Sequence, residues 1–216
     1  MATRMFWGDK GVSEAVYKAI CNDQLVLGDS DTVLGLYAAV SAAGKVLLDD
    51  IKGRSGKPYV VLTAHARRAM SFIDDKGDSF PQNLLKKIMD TCWPGPLTLV
   101  CTARRDIPGY ARSELGTIAL RVPLHDGLQR LLALTDGIFS TSANKSGEVV
   151  PDSIDQVAPY LLAQIGCIVL NKPGVENLSE AQPSTIIDCT GLHVRLIREG
   201  AYAVTRLEKE LGISIT

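Results

Sequence analysis

Lys52, Arg54 and Lys57 put three cations into six residues of the stretch KGRSGK, with Gly53 and Gly56 between them. Such a loop can wrap a polyphosphate, because arginine offers a planar fork and lysine a mobile point charge. It is not a P-loop, since G-x-x-x-x-G-K-[ST] occurs nowhere in the chain. Taken alone, it reads first as a solvated basic turn. A second concentration lies in GIFSTSANKSGE (137–148), where Ser140, Thr141, Ser142, Asn144 and Ser146 follow a short apolar run. That pattern is either a polar loop or a rim that holds a polar ligand. Arg121 lies inside the apolar strand TIALRVP, where an unpaired guanidinium would be expensive. Its counter-charge is either a carboxylate of the fold or one on a ligand. DSDT (29–32) follows an apolar run and precedes Gly35, so it is a plain turn or a site edge. WPGP (93–96) reads as a rigid corner with a packed indole. Asp188 and Arg198 complete the polar residues at strand edges.

Several chemistries find no support. There is no G-x-S-x-G elbow, and His125 reads as a surface histidine. Cysteines at 21, 92, 101, 167 and 189 are odd in number and form no C-x-x-C, which favours free thiols in a reducing cytosol. Histidines 65, 125 and 193 have no zinc-ligand spacing, so no protein-held metal is expected. A net charge of -1 gives no bulk attraction to nucleic acid, while a local basic patch stays open. The N-terminal MATRMFWGDKG lacks the apolar stretch of a signal peptide, and no window reaches ~18 uninterrupted apolar residues. A soluble, cytoplasmic protein with no membrane partner is expected.

The elements that must position these residues follow from periodicity and punctuation. Helices are predicted over 13–22 with Ser13 as cap, 41–53, 81–92, 126–135, 153–166 with a bend at Pro159, and 204–212. Strands are predicted over 24–28, 58–64, 97–103, 117–123, 137–143, 167–171, 184–189 and 193–199, and the longest loop over 171–183. This interleaving without strict alternation points to an α/β (α+β) fold: one domain over 1–216, an open twisted mixed β-sheet flanked by helices.

Taken together, the motifs resemble the YrdC-like family, best known for threonylcarbamoyl-AMP synthases. DSDTVLGL (29–36) is similar to the family's opening P-T-D/E-T-V-Y-G-L, and KGRSGKPY (52–59) to its basic loop. WPGPLT (93–98), RVPLH (121–125), SANKSG (142–147), STIIDC (184–189) and REG (198–200) follow in family order, within a motif-bearing part at 24–202. The resemblance implies a nucleotidyltransferase. Threonine, bicarbonate and ATP give threonylcarbamoyl-adenylate and pyrophosphate, which feeds t6A modification of tRNA by downstream proteins. By the same resemblance Lys52 and Arg54 are catalytic. Arg54, Lys57, Thr117, Ala143, Asn144, Pro151 and Arg198 hold ATP, with Mg2+ carried by the nucleotide. Thr32, Arg121, Thr141 and Ser184 hold threonine, and Ser146 helps Asn144 shape the pocket floor. The alternative is a divergent paralogue that binds double-stranded RNA or nucleotide without this activity; tRNA is a further candidate partner. YrdC-like domains of carbamoyltransferases are a third option.

Four positions depart from the family pattern: Asp29 with Ser30 replaces Pro-Thr, Leu34 a tyrosine, Tyr59 a leucine, and Leu62 a histidine. The resemblance places all four on the amino-acid side of the cleft, and so predicts weak selectivity for threonine.

Overall fold

A computed structural model describes residues 2–53, 56, 58–74, 80–172 and 182–216. Among these, ten strands form one mixed sheet. They are β1 (Thr3–Phe6), β2 (Val26–Gly28), β3 (Gly35–Ala39), β4 (Val60–Leu62), β5 (Leu97–Thr102), β6 (Thr117–Arg121), β7 (Ile138–Ser142), β8 (Cys167–Leu170), β9 (Thr185–Asp188) and β10 (Arg195–Arg198). Their order across the sheet is β1-β8-β2-β3-β7-β4-β6-β5-β9-β10. Pairs β1/β8, β2/β8, β4/β6 and β5/β9 are parallel and the others antiparallel. The expected open mixed sheet flanked by helices is what forms.

Seven helices join them: α1 (Val12–Cys21), α2 (Ala42–Lys52), α3 (Ala66–Met70), α4 (Gln82–Cys92), α5 (Asp126–Leu132), α6 (Pro159–Leu162) and α7 (Val204–Leu211). Helix α2 starts where the Ser41 hydroxyl accepts from the Gly44 amide at 2.9 Å, and it ends at Gly53 with φ 59°. Its internal Gly44 is a packing requirement, because a Cβ there would lie 2.1 Å from the Ala39 carbonyl oxygen. Helix α4 buries Leu85, Ile88, Met89 and Cys92, one stripe at helical spacing.

Two expectations shift. Ser13 is buried inside α1, and Gly11 is the residue that precedes the helix. The helix expected over 153–166 divides into a 3-10 turn (Ile154–Gln156) and α6, with Pro159 in the first position of α6. Strands β1 and β3 and helix α3 arise where no element was expected. Residues 173–181, within the expected long loop, lie outside the described residues.

The register puts one row of side chains on each face. Ala38, Phe139, Val61, Leu120, Leu99 and Ile187 are successive cross-strand partners, all within a large core beneath α2, α4 and α7. The next row points the other way and crosses all ten strands: Thr3, Cys167, Val26, Tyr37, Ser140, Val60, Ala119, Val100, Asp188, Arg195. Here α1 and α5 cover Cys167, Val26 and Tyr37 to make a smaller core with Trp7, Val16, Leu128 and Leu131. That core includes no residue of β5, β6, β9 or β10. Among the described residues, then, no helix packs on that half of this face. All five cysteines are free thiols, four buried and Cys21 exposed. No helix among the described residues is long and apolar enough to cross a membrane.

Candidate active site

The half-face without a helix collects polar side chains from strands far apart in sequence. Alternation puts Thr117, Ala119 and Arg121 of β6 on it, together with Thr98 of β5, Ser184 and Asp188 at β9, and Arg198 of β10, the partner of Ile186.

At one end Arg121 is buried. Its Nε donates to the Gly95 carbonyl at 3.0 Å and its Nη1 to Thr32 Oγ1 at 2.9 Å. Its Nη2 meets Asp31 Oδ1 at 2.5 Å, with both side chains 7% exposed. That contact is off the hydrogen-bonding angle, so it is coulombic and leaves both atoms without an aligned partner among the described residues. Asp31 Oδ2 accepts from the Leu124 amide at 2.8 Å, and Ser30 Oγ lies 3.1 Å from Thr32 Oγ1. The counter-charge left open by the sequence is thus a carboxylate of the fold.

At the other end Arg198 is exposed. Its Nη2 donates to the Ser184 carbonyl at 2.8 Å, and no carboxylate among the described residues pairs with it. Partial burial, then the nearby Arg121 charge, pulls its pKa below the ordinary value. Two guanidiniums therefore share this face, and an anion between them would relieve their repulsion. Between the arginines the Thr98 and Ser184 hydroxyls meet at 2.8 Å, both buried. Burial opposes ionisation of Asp188, but bonds from Thr190 and Arg195 outweigh it and hold the carboxyl below its ordinary value.

Near the start of β6, the hydroxyls of Thr117 and Ser113 meet at 2.8 Å. Ser113 also lines a cavity of about 390 Å³ with Lys45, Gly56, Arg112 and Glu114. No group of three or more His, Cys, Asp or Glu side chains among the described residues could hold a metal ion.

The structure gathers some of the expected residues and scatters others. Thr32, Arg121, Ser184, Thr117 and Arg198 border the open half-face. Thr141 is half-buried in register with Leu36, which puts its side chain on the opposite face; Ser140 and Ser142 are the β7 hydroxyls on the same face as Arg121. The Ala143 side chain is in the large core, and its amide donates to the Leu34 carbonyl at 2.9 Å. Pro151 is buried. Lys52 is 3% exposed, and its ammonium sits in a cage of loop oxygens. It donates to Ser142 O at 2.8 Å, to Asn144 Oδ1 at 2.9 Å and to the Asn144 carbonyl. Asn144 also donates to the Glu148 carbonyl at 2.6 Å. Lys52 and Asn144 therefore organise the SANKSG turn, and Ser146 joins them through its amide, 3.2 Å from the Lys52 carbonyl. Arg54 and Lys57 lie outside the described residues.

One expectation about a neighbouring residue is corrected. His125 is half-buried rather than at the surface: it caps α5, with Nδ1 accepting from the Leu128 amide at 3.1 Å, and stands edge-on to Trp7 at 5.7 Å. Leu34, Tyr59 and Leu62 are the departures from the family pattern that pack inward, and Leu62 is the cross-strand partner of Arg121. All three are core residues, 6%, 2% and 2% exposed, and the Tyr59 hydroxyl donates to Asp49 at 2.8 Å. Only Asp29 remains half-buried, where burial raises its pKa although the Asn171 amide donates to it. Asp31 and Thr98 lay within the DSDT and WPGPLT motifs without a role of their own, and Ser113 lay outside every motif.

Residues 18–200 match the Sua5/YciO/YrdC family, described as "Telomere recombination". A threonylcarbamoyl-AMP synthase of Pyrococcus abyssi is 29% identical over 194 residues, 88% of this chain and 54% of that protein. A putative threonylcarbamoyl-AMP synthase of Methanocaldococcus jannaschii is 26% identical over 202 residues, 93% of this chain and 91% of that protein. The crystal structure of P. abyssi Sua5 complexed with L-threonine matches with a TM-score of 0.86 at 27% identity, over 100% of this chain and 62% of that one. The chain thus spans little more than half the length of the P. abyssi relative.

Proposed function

Since the chain belongs to the Sua5/YciO/YrdC family, we propose that it makes threonylcarbamoyl-adenylate and pyrophosphate from threonine, bicarbonate and ATP, a step toward t6A in tRNA. The observation that carries this reading is the pair of arginines on the half-face where no described helix packs. Arg121 has a buried Nη2 without an aligned hydrogen bond, and Arg198 has a charge that no described carboxylate meets. A site for two anionic groups, lined by hydroxyls, suits an amino-acid carboxylate at one end and a nucleotide phosphate at the other.

In this reading the threonine carboxylate joins Asp31 and Thr32 around Arg121, with the Thr98–Ser184 hydroxyl pair beside it. The amine condenses with bicarbonate to a carbamate, with loss of water. A carbamate oxygen then attacks the α-phosphorus of ATP, the bond to the β-phosphate breaks, and pyrophosphate leaves. Catalysis of this type is positioning and charge stabilisation. Arg198 and Thr117 serve the nucleotide, with Mg2+ arriving on the triphosphate. Lys52 serves by keeping Asn144 and Ser142 in place.

The test is pyrophosphate release from ATP and bicarbonate, with threonine, serine, valine or no amino acid, and the adenylate identified by mass. Threonine-dependent release supports the reading. No turnover with any amino acid, together with salt-sensitive binding to duplex RNA, selects the RNA-binding alternative instead.

A further inference from the structure

Strand β10 has little burial to hold it. All four of its residues are exposed, and it breaks register between Leu196 and Arg198. Yet it carries Arg198. The chain directly after Arg198 is gathered around one buried hydroxyl. Thr185 is 0% exposed, and its Oγ1 donates to the Tyr202 carbonyl at 2.6 Å. The same oxygen accepts from the Gly200 amide at 2.8 Å and the Tyr202 amide at 3.2 Å. A hydroxyl has one proton and two lone pairs, so this one is saturated. Beside it the Ala201 amide donates to the Pro183 carbonyl at 2.9 Å. Gly200 lies so close that a Cβ would come within 2.0 Å of the Pro183 oxygen. The clasp is therefore shaped to take a glycine two residues beyond Arg198.

We propose that Thr185 is a positioning residue for nucleotide binding: its hydroxyl locks the 199–202 turn and so aims Arg198 over the open half-face. The inference rests on the reading of Arg198 as a nucleotide contact. Thr185 itself is buried under the turn and touches no substrate.

The experiment compares the full chain with Thr185→Val, Thr185→Ser, Arg198→Ala and the Val/Ala double variant. Calorimetry measures affinity for a non-hydrolysable ATP analogue and, separately, for threonine. Thr185→Val should weaken the analogue about ten-fold, as loss of one well-placed hydrogen-bonding group does. Threonine affinity should stay within about two-fold, and Thr185→Ser should restore analogue binding. The double variant should be no weaker than Arg198→Ala alone, since both changes remove the same interaction. If Thr185→Val does not fold, Thr185→Cys, a weak hydrogen-bonding group of similar size, takes its place under the same expectations. Wild-type analogue affinity in the Thr185 variant, or additive losses in the double, overturns the inference while Arg198 keeps its role. Unchanged affinity in Arg198→Ala overturns the reading of Arg198, and the inference with it.

Discussion

Tyr37 and Asp188 stand in the same row of the sheet and meet opposite surroundings. Tyr37 lies under α1 and α5, fully buried, with its hydroxyl donating to the Asp29 carbonyl at 3.0 Å. Asp188 lies where no helix covers the sheet, and its carboxylate binds Thr190 and the exposed Arg195. On the covered half, polar atoms are spent on the fold. On the other half, Asp188 is held by a turn residue and by an arginine that reaches solvent. The boundary falls at β4 and β6, and Arg121 sits on it. It is the cross-strand partner of Leu62, a residue of the smaller core, yet its face continues onto Thr98 and Ser184.

The boundary residue should show the largest effect. Arg121→Met leaves Asp31 buried and uncompensated, and it should destabilise the protein by ~3–5 kcal/mol in denaturant unfolding. Arg121→Met combined with Asp31→Leu should recover most of that loss. Wild-type stability in the single variant would break the comparison, because Arg121 would then belong wholly to the open half. Arg198→Ala probes the far side. Its stability should stay within ~0.5 kcal/mol of wild type. Affinity for an ATP analogue should fall by ~1.5–3 kcal/mol, roughly ten- to a hundred-fold.

The covered half can be tested by pH. Burial lowers the pKa of His125 below the ordinary 6.5, against the pull of Asp31, Asn171, Asp29 and Asp126. The folded protein thus binds that proton less tightly than the unfolded chain. Its stabilising contribution is complete above about pH 6.5 and is lost as pH falls below that value toward the folded pKa. His125→Asn keeps a capping acceptor, at ~1 kcal/mol or less. Its stability should decline less than wild type between about pH 7 and pH 5, and parallel declines would count against the cap. The smallest effect is expected at Arg195, whose side chain is 66% exposed. Arg195→Ala should cost ~1 kcal/mol or less in unfolding, and less still at high salt.

The sequence resolved these regions unevenly. Elements with a clean period were legible: α4 with its stripe of Leu85, Ile88, Met89 and Cys92, and β7 with its apolar start. Strand β1, TRMF, was not, because it is a mostly exposed edge held by pairing to β8 rather than by an apolar pattern. Strand β3, GLYAA, has small residues of weak strand propensity and is set by its neighbours β2 and β7. Of the motifs, RVPLH, STIIDC and REG put Arg121, Ser184 and Arg198 near one another, whereas SANKSG put Ala143 into the large core. The sequence could not show who meets whom. Thr32 and Arg121 are 89 residues apart, and Lys52 and Asn144 are 92. For the same reason it could not show that Leu34, Tyr59 and Leu62 turn into the cores.

Cysteine placement has a practical side. Burial pushes the Cys101 thiol up to about 12 and Cys167 to about 11, and it raises Cys92 and Cys189 as well. Thiolate is the form that attacks a maleimide or iodoacetamide, so at neutral pH these four are shielded twice, by packing and by protonation. Cys21, at the exposed end of α1, is left as the one ready handle. A fluorophore attached there to the unaltered protein would sit over the helix-covered half of that sheet face and report from a distance on the other half, with no cysteine to remove first.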